Sequence, residues 1–449
     1  MSRLMLSGTQ ILEVGEVARV TGPAKIEVDE GRILLVGSEF SRGSVLVVHE
    51  LRSYSLKALE KTGLRVFLGT GGMIEKVNPS EEVIDDWVNV AEIIRRDVEG
   101  GEQLKVVIVG PSESGKTTLS AFIVNYLRDR GVKSCLVEGD VGQEDLAMPA
   151  TVAMTMIERP FIWQRELSFQ EFRFVGCISP RNCESGIIST LMDLTSSALS
   201  KGCRAVVVNT DGWVSGDGVN YKIELVKWVR PTHIVSLNPK LSSLMTVAFR
   251  GLVKVLNAKP PVTVRTRSRE ERQRLRSEAY RRYFINSSVR TVRASEVGLI
   301  RVQPFNCEQA SVSELLTTYP ELTSVASSIL RACYNEKELV LLTEGPLNAS
   351  LLEALRNEVY AKHSVKLVTL RREDLTGCLM GIIGKGFRDV GVGIVEDFKL
   401  SEAGDVLIKL RTPYGGPIIA LVGSNIRLDE EYREIKKGEW FVGVKRDRP

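Results

Sequence analysis

The run Gly110-Pro111-Ser112-Glu113-Ser114-Gly115-Lys116-Thr117 constrains this chain more than any other stretch. The apolar run Lys105–Val109 (KVVIV) leads into it, and the amphipathic run Lys116–Arg130 leaves it. A strand, a glycine-bounded loop and a helix in that order make a phosphate cradle. The glycines let the backbone curl so that successive N–H groups converge on an anion. The start of the helix adds its positive end. Lys116 is then placed to bridge β- and γ-phosphates, and the Thr117 hydroxyl to hold Mg²⁺. Thr118 follows in the first helical turn. The motif specifies a nucleoside triphosphate such as ATP and leaves the reaction open.

At 449 residues the chain has room for about three domains at ~150 residues each. Hydrophobic residues make up 43% and charged residues 26%, the balance of a soluble globular protein. Residues 1–100 carry short β-like runs: Ala24–Val28, Arg32–Val36, Ser44–Val48 and Leu64–Leu68. They predict a small β-domain, closed by a helix over Ile84–Val98. Residues 101–300 alternate strands (Lys133–Glu138, Arg204–Val208, Thr232–Leu237) with helices such as Leu191–Lys201. That alternation predicts a parallel sheet. Residues 301–449 mix a helix over Leu347–His363 with glycine-punctuated strands, an α+β pattern. No apolar run reaches the ~18–20 residues of a membrane span, and the first sixteen residues are too broken for a secretory leader, so a cytoplasmic protein without membrane partners is expected. Seven cysteines, with no CxxC pair, argue against a disulfide framework or zinc site and for a reducing compartment.

Three classes of enzyme share such a cradle. A GTPase reads its base with Asn-Lys-x-Asp after a later strand, but Thr232–Leu237 is followed by Asn238-Pro239-Lys240-Leu241. A motor ATPase ends a hydrophobic strand in Asp-Glu, but Ala205–Val208 runs into Asn209-Thr210-Asp211-Gly212. Both are weakened and a kinase gains. Asp140 ends the second strand, one strand over from the cradle, where a carboxylate can reach a metal or an acceptor hydroxyl. A turn-capping aspartate reads equally well. Residues 265–282 hold eight arginines and three acids, a net +5 against +4 for the whole chain. Arg265, Arg269, Arg272 and Arg276 share one helical face. Arginine without lysine suits phosphate contacts and a lid over a transferring group. The plain alternative is a solvated face laced with salt bridges.

The run Asn209-Thr210-Asp211-Gly212-Trp213-Val214-Ser215-Gly216-Asp217-Gly218 resembles the NTxGWVxGxG element of the polynucleotide 5′-hydroxyl kinase family, the RNA kinases of pre-mRNA cleavage and rRNA processing and their archaeal relatives. Gly110–Thr117 is similar to that family's cradle, with Glu113 at its acidic position. Asp140-Val-Gly-Gln143, then Met148-Pro149, resembles its DxGQ…PG element, with Ala150 in place of the glycine. Ser179-Pro180-Arg181-Asn182 resembles its clasp, one residue tighter than usual. Arg272-xxx-Arg276 ahead of Tyr283-Phe284 resembles its lid.

The resemblance implies an α/β fold: a central P-loop parallel-sheet kinase domain flanked by a small N-terminal β-domain and a C-terminal α+β domain. It implies ATP and Mg²⁺ as cofactors, with Thr117 and Asp140 on the metal. Lys116, Asp140, Arg272 and Arg276 would be catalytic. Asp140 would take or orient the proton of the 5′-OH, and the arginines would neutralise charge on the γ-phosphoryl group. Gly110, Pro111, Ser112, Glu113, Ser114, Gly115, Lys116, Thr117 and Thr118 would bind the phosphates. Gln10 and Arg65 would lie near the base. Gln143, Ser179, Pro180, Asn182, Thr210 and Trp213 would hold the acceptor, with Trp213 stacked on its terminal base. Trp213 as a plain core residue is the competing reading. The implied partners are single-stranded or duplex nucleic acid with a 5′-OH end, RNA first, and RNA-processing proteins. An ATP-bound, non-catalytic scaffold and a metabolite kinase remain as alternatives.

Overall fold

Alternation decides the first part of the chain. In a computed structural model describing residues 6–262, 266–302, 308–334, 337–400 and 405–435, the strand Ala24–Glu30 buries Ala24, Ile26 and Val28 and turns Lys25, Glu27 and Asp29 outward. Its neighbours do the same, and two antiparallel sheets result. One runs 6–12, 62–68, 24–30, 45–48, and the other 38–41, 32–35, 53–58, 17–21, 73–77. The helix Ile84–Glu99 follows, burying Ile84, Trp87, Val90, Ala91, Ile94 and Val98 along one stripe.

The middle of the chain reads differently because its strands are covered on both faces. Leu104–Val109 is buried at every position but Lys105. It pairs in parallel with Ala205–Thr210 on one side and His233–Ser236 on the other. Ser134–Gly139 joins beyond the first and Lys254–Asn257 beyond the second, both parallel. Thr151–Met156 continues the sheet antiparallel. Parallel neighbours end on the same sheet edge, so Gly110, Asp140 and Asp211 emerge side by side. In such sheets ligands bind at the carboxyl ends of the strands.

The chain forms two compact units. One runs to Arg269 without 148–150 and 174–178, and the other takes those short segments and everything from Glu270. In the first unit the β-sheets and the parallel sheet share one hydrophobic core. Leu12, Ile26 and Leu56 belong to the same cluster as Trp87, Phe122, Leu136 and Val207. The second unit contains the helix Arg269–Phe284 from its second residue onward, a six-stranded sheet, a four-stranded sheet and the helix Ala349–His363. Tyr280 and Phe284 anchor the arginine-rich helix, the latter stacked on Tyr432 at 5.9 Å. Arg265 lies outside the described residues.

Two expectations are corrected. The helix expected over Leu191–Lys201 spans Glu184–Ser200. Cys135 and Cys203 are joined by a disulfide, with Cα atoms 6.0 Å apart. The strands Ser134–Gly139 and Ala205–Thr210 are parallel neighbours, which brings two cysteines 68 residues apart in sequence together. Counting cysteines and looking for CxxC cannot detect such a pair. Among the described residues no helix is long and apolar enough to cross a membrane.

Candidate functional site

The cradle curls as its sequence requires. Gly115 precedes the helix Lys116–Asp129 with φ 93° and Glu113 has φ 63°. A Cβ at Gly115 would meet Pro261 at 3.0 Å, so the position takes glycine for space as well as for backbone. Ser114 Oγ donates to the Pro111 carbonyl at 2.9 Å, and so does Lys116 Nζ at 2.7 Å. Lys116 is 6% exposed, and burial pushes its ammonium down to about 8. Its charge is therefore available to a phosphate without competition from bulk water.

Behind the loop lies a polar network. Asn209 Nδ2 donates to Thr117 Oγ1 at 3.1 Å and to both oxygens of Glu138 at 2.7 and 2.9 Å. Glu138 Oε1 also accepts from the Asp140 N–H at 3.0 Å. Burial, then the charge of Asp140, raises Glu138 to about 8. Asp140 Oδ1 accepts from the N–H groups of Gly142 and Gln143 at 3.1 and 3.2 Å. Its carboxyl is held above the usual range by burial and by the charge of Asp211. Asp211 accepts from the fully buried Lys222 at 2.8 Å, from the Tyr221 hydroxyl at 3.0 Å and from the Trp213 N–H at 2.9 Å. A Cβ on Gly212 would lie 2.5 Å from Ser112 N, so this turn packs directly on the cradle.

The donor set suits Mg²⁺ carried by a nucleotide. Such an ion takes one or two protein oxygens and keeps several waters. Thr117 offers a hydroxyl and Asp140 a carboxylate that a cation would relieve of Asp211's repulsion. Asn209 Oδ1 is buried without a hydrogen-bond partner, an acceptor left over in the same network. Among the described residues no group of three histidine, cysteine or acidic side chains forms a separate metal site.

A cavity of about 210 Å³ opens beside the cradle. Trp87, Phe122 and Tyr54 supply aromatic walls, and Arg19, Arg52 and Arg267 supply charge. Arg52 is fixed by Asp145, which also accepts from Arg165 at 2.8 Å and Trp163 at 3.0 Å. Burial alone would raise Asp145, but the two guanidiniums outweigh it and hold it at about 2. Arg267 comes from the extended segment before the arginine-rich helix. Its N–H donates to Glu113 Oε1 at 2.8 Å and its guanidinium to Gln143 Oε1 at 3.1 Å. Arg267, one of the eight arginines of the expected lid segment, is thus placed on the cradle, whereas the resemblance singles out Arg272 and Arg276. Arg19, Arg52, Tyr54 and Trp87 were missed. They carry no motif and reach the site from other elements.

A second cavity, of about 620 Å³, lies between the helices Glu184–Ser200 and Asp217–Val229. Trp213 lines it, half-buried and stacked on Tyr221 at 5.7 Å. This overturns the core reading of Trp213. The exposed Arg181 lies 5.7 Å over the indole, which brings the turn of Ser179, Pro180 and Asn182 to the same place. Asn182 has φ 69°, the left-handed kink that accommodates the shortened turn. Ala150 has φ 71°, a conformation glycine adopts more cheaply, which accounts for the glycine of the resembled pattern.

Three expected residues are placed elsewhere. Arg65 pairs with Glu27 at 3.1 Å and Asp29 at 2.9 Å on an exposed sheet face and does not line the cavity. Gln10, opposite Leu64 on the neighbouring strand, does not line it either. Thr210 is fully buried and its hydroxyl donates to the Ile108 carbonyl at 2.7 Å, so it is a strand residue and not an acceptor contact. Arg276 makes a two-pronged pair with Glu434 at 2.6 and 2.7 Å within the second unit, which gives its charge a structural partner. Arg272 is half-buried on the same helix.

Residues 110–286 match the family described as the mRNA cleavage and polyadenylation factor CLP1 P-loop. A polyribonucleotide 5′-hydroxyl-kinase of Methanocaldococcus jannaschii is 28% identical over 239 residues, covering 53% of this chain and 65% of that one. One of Thermococcus kodakarensis is 25% identical over 363 residues, covering 81% and 98%. The fold is similar to Clp1p in a solved Clp1p–Pcf11p complex, with a TM-score of 0.63 at 12% identity over 94% of this chain and 98% of that one.

Proposed function

We propose, on the premise that residues 110–286 form a CLP1-family P-loop domain, that this chain is an ATP-dependent polynucleotide 5′-hydroxyl kinase that transfers the γ-phosphate to the 5′-OH end of RNA. One observation carries the reading. The cradle, the carboxylate of Asp140 and the turn bearing Trp213 emerge from adjacent parallel strands on one edge. Gly212 packs on Ser112, which ties the indole turn to the phosphate loop.

Residues 110–118 wrap the phosphates. Lys116 neutralises charge passing from the γ- to the β-phosphate. The cavity of Trp87, Phe122 and Tyr54 takes the base. Thr117 and Asp140 hold Mg²⁺, which supplies charge neutralisation when it is bound with the nucleotide. Asp140 also faces the acceptor and orients its 5′-OH for in-line attack. Trp213 stacks the terminal base, with Gln143 and the turn of Ser179, Pro180 and Asn182 around it. Arg267 covers the cradle and meets charge developing on the γ-phosphoryl group. Arg272 belongs to the same lid. RNA-processing proteins are the proposed partners, as a Pcf11p segment is for Clp1p. At the level of sheets we propose a division near 100 and a second before Ser288 rather than at 300, because Ser288–Arg293 and Gly298–Ile300 pair within the six-stranded sheet. A cytoplasmic location is proposed alongside the disulfide-bonded Cys135, Cys177, Cys183, Cys203 and Cys333, since some intracellular proteins are disulfide-rich.

The test is to supply labelled ATP with single-stranded RNA, single-stranded DNA and free nucleosides. Label on oligonucleotide 5′ ends, lost in Lys116→Ala, is the expected result. Label on nucleosides alone would make the chain a metabolite kinase. Tight ATP binding with no labelled product would make it a scaffold.

A further inference from the structure

We propose that Glu138 is a positioning residue for this reaction, acting through Asn209 on Thr117 and through a backbone bond on Asp140. The inference rests on the roles proposed above for Thr117 and Asp140.

In many P-loop enzymes an acid ends the strand beside the cradle and supports the metal. Here that strand, Ala205–Thr210, carries Asn209 opposite Ile108. The missing acid stands one strand over, because Glu138 faces Asn209 across the next pair. Both side chains are buried, Glu138 fully and Asn209 at 1% exposure.

The chemistry of the two groups makes the arrangement directional. An amide has a donor end and an acceptor end of nearly the same shape, and a neighbour decides which way it points. Glu138 Oε1, which takes the Asp140 N–H at 3.0 Å, offers an acceptor even when the carboxyl carries its proton on Oε2. It therefore draws Nδ2 toward itself, and the second Nδ2 hydrogen then falls on Thr117 Oγ1 at 3.1 Å. The Thr117 oxygen is held by that donor with its other lone pair left for a cation. The same Oε1 that accepts from Asn209 accepts the Asp140 N–H, so one carboxyl fixes both residues assigned to the metal. Without it the amide is free to turn over and present its oxygen to the hydroxyl.

Support of this kind is typically worth ten- to hundredfold in metal affinity or activity. The measurement is Mn²⁺ binding to the enzyme–ATP complex by electron paramagnetic resonance, with metal-free ATP affinity measured by calorimetry as the control. Glu138→Leu is expected to weaken Mn²⁺ about tenfold or more and to leave metal-free ATP binding within about threefold. Glu138→Gln keeps a carbonyl acceptor and is expected to recover most of that loss. It is also nearly isosteric, so it reports even if the leucine variant does not fold. In an Asn209→Ala background Glu138→Leu should weaken Mn²⁺ by less than it does alone, because only its hold on the Asp140 N–H remains to be lost. Native Mn²⁺ affinity in Glu138→Leu overturns the proposal. So does a glutamine variant that, with metal-free ATP binding intact, binds Mn²⁺ tenfold or more weakly, and so does full additivity with Asn209→Ala. None of these readouts needs an acceptor strand, so they stand apart from the fate of the kinase reading.

Discussion

Lys116 combines burial with a place in the proposed phosphate cradle, and its acid–base behaviour follows. Its ammonium is held at about 8 by desolvation. Triphosphate oxygens favour the charged form, so binding ATP raises that value. Below pH 8 the free protein already carries the charge and affinity is full. Above pH 8 the lysine is neutral before binding and must take up a proton. Affinity should then fall by up to about tenfold per pH unit until the bound-state value is passed. Calorimetry at pH 9 in buffers of different ionisation enthalpy should show proton uptake, and a buffer-independent heat would reject the assignment. Trp213 makes a different prediction. It is half-buried against Tyr221 and lines a cavity through which a base can reach the ring. Stacking is worth ~1–3 kcal/mol per base. Trp213→Ala should raise the oligonucleotide KM by roughly ten- to hundredfold and leave the ATP KM unchanged, and a parallel rise in both would place the indole's role in the cradle instead.

Elements that depend on neighbours in sequence were legible, and contacts that depend on distant partners were not. The cradle strand and helix were expected over Lys105–Val109 and Lys116–Arg130 and are found over Leu104–Val109 and Lys116–Asp129. The helix Glu184–Ser200 begins seven residues before Leu191, because its first turns, Glu184-Ser185-Gly186 and the β-branched Ile187-Ile188, carry weak helix propensity although both isoleucines are buried. The contacts of Thr210, Arg65 and Arg276 are hidden from the sequence for one reason. Nothing local reveals that the Ile108 carbonyl, the acids Glu27 and Asp29, and Glu434 claim them. The arginine-rich segment shows the consequence. Arg267 contacts the cradle, whereas Arg276 is paired with Glu434, at 15% and 13% side-chain exposure. Breaking that pair should cost about 1–3 kcal/mol of stability. Arg276→Ala should therefore lower the melting temperature more than it lowers turnover. Arg267→Ala should do the reverse, cutting kcat more than tenfold with little change in melting. Stability and single-turnover assays of the two variants separate these outcomes, and a large kcat loss confined to Arg276→Ala would return the catalytic role to that position.

At the scale of the whole molecule, the β-part is wall and foundation at once. Leu12, Ile26 and Leu56 lie in the same core as Phe122 on the cradle helix and Val207 on the strand that carries Asn209. Gly37 approaches Phe122 so closely that a Cβ would lie 2.0 Å from its carbonyl oxygen, and the buried Asn125 donates to the Val36 carbonyl at 2.9 Å. Arg19, Arg52 and Tyr54 come from this part and line the cavity beside the cradle. A chain beginning at Glu82 would lose eight lining residues, Arg19, Arg52 and Tyr54 among them, and expose the apolar face of the helix Ile84–Glu99. Burial of each large apolar side chain is worth about 1.5–3 kcal/mol, so a loss spread over Trp87, Phe122 and their neighbours exceeds the usual margin of stability. The shortened chain should lack a cooperative melting transition and bind ATP at least a hundredfold more weakly. The conservative counterpart is Arg52→Lys with Tyr54→Phe in the full chain, which keeps the core. It should melt within a few degrees of the parent and still lose ATP affinity. If both proteins bind ATP as tightly as the parent, the base does not occupy this cavity, and the β-part supports the sheet without touching the nucleotide.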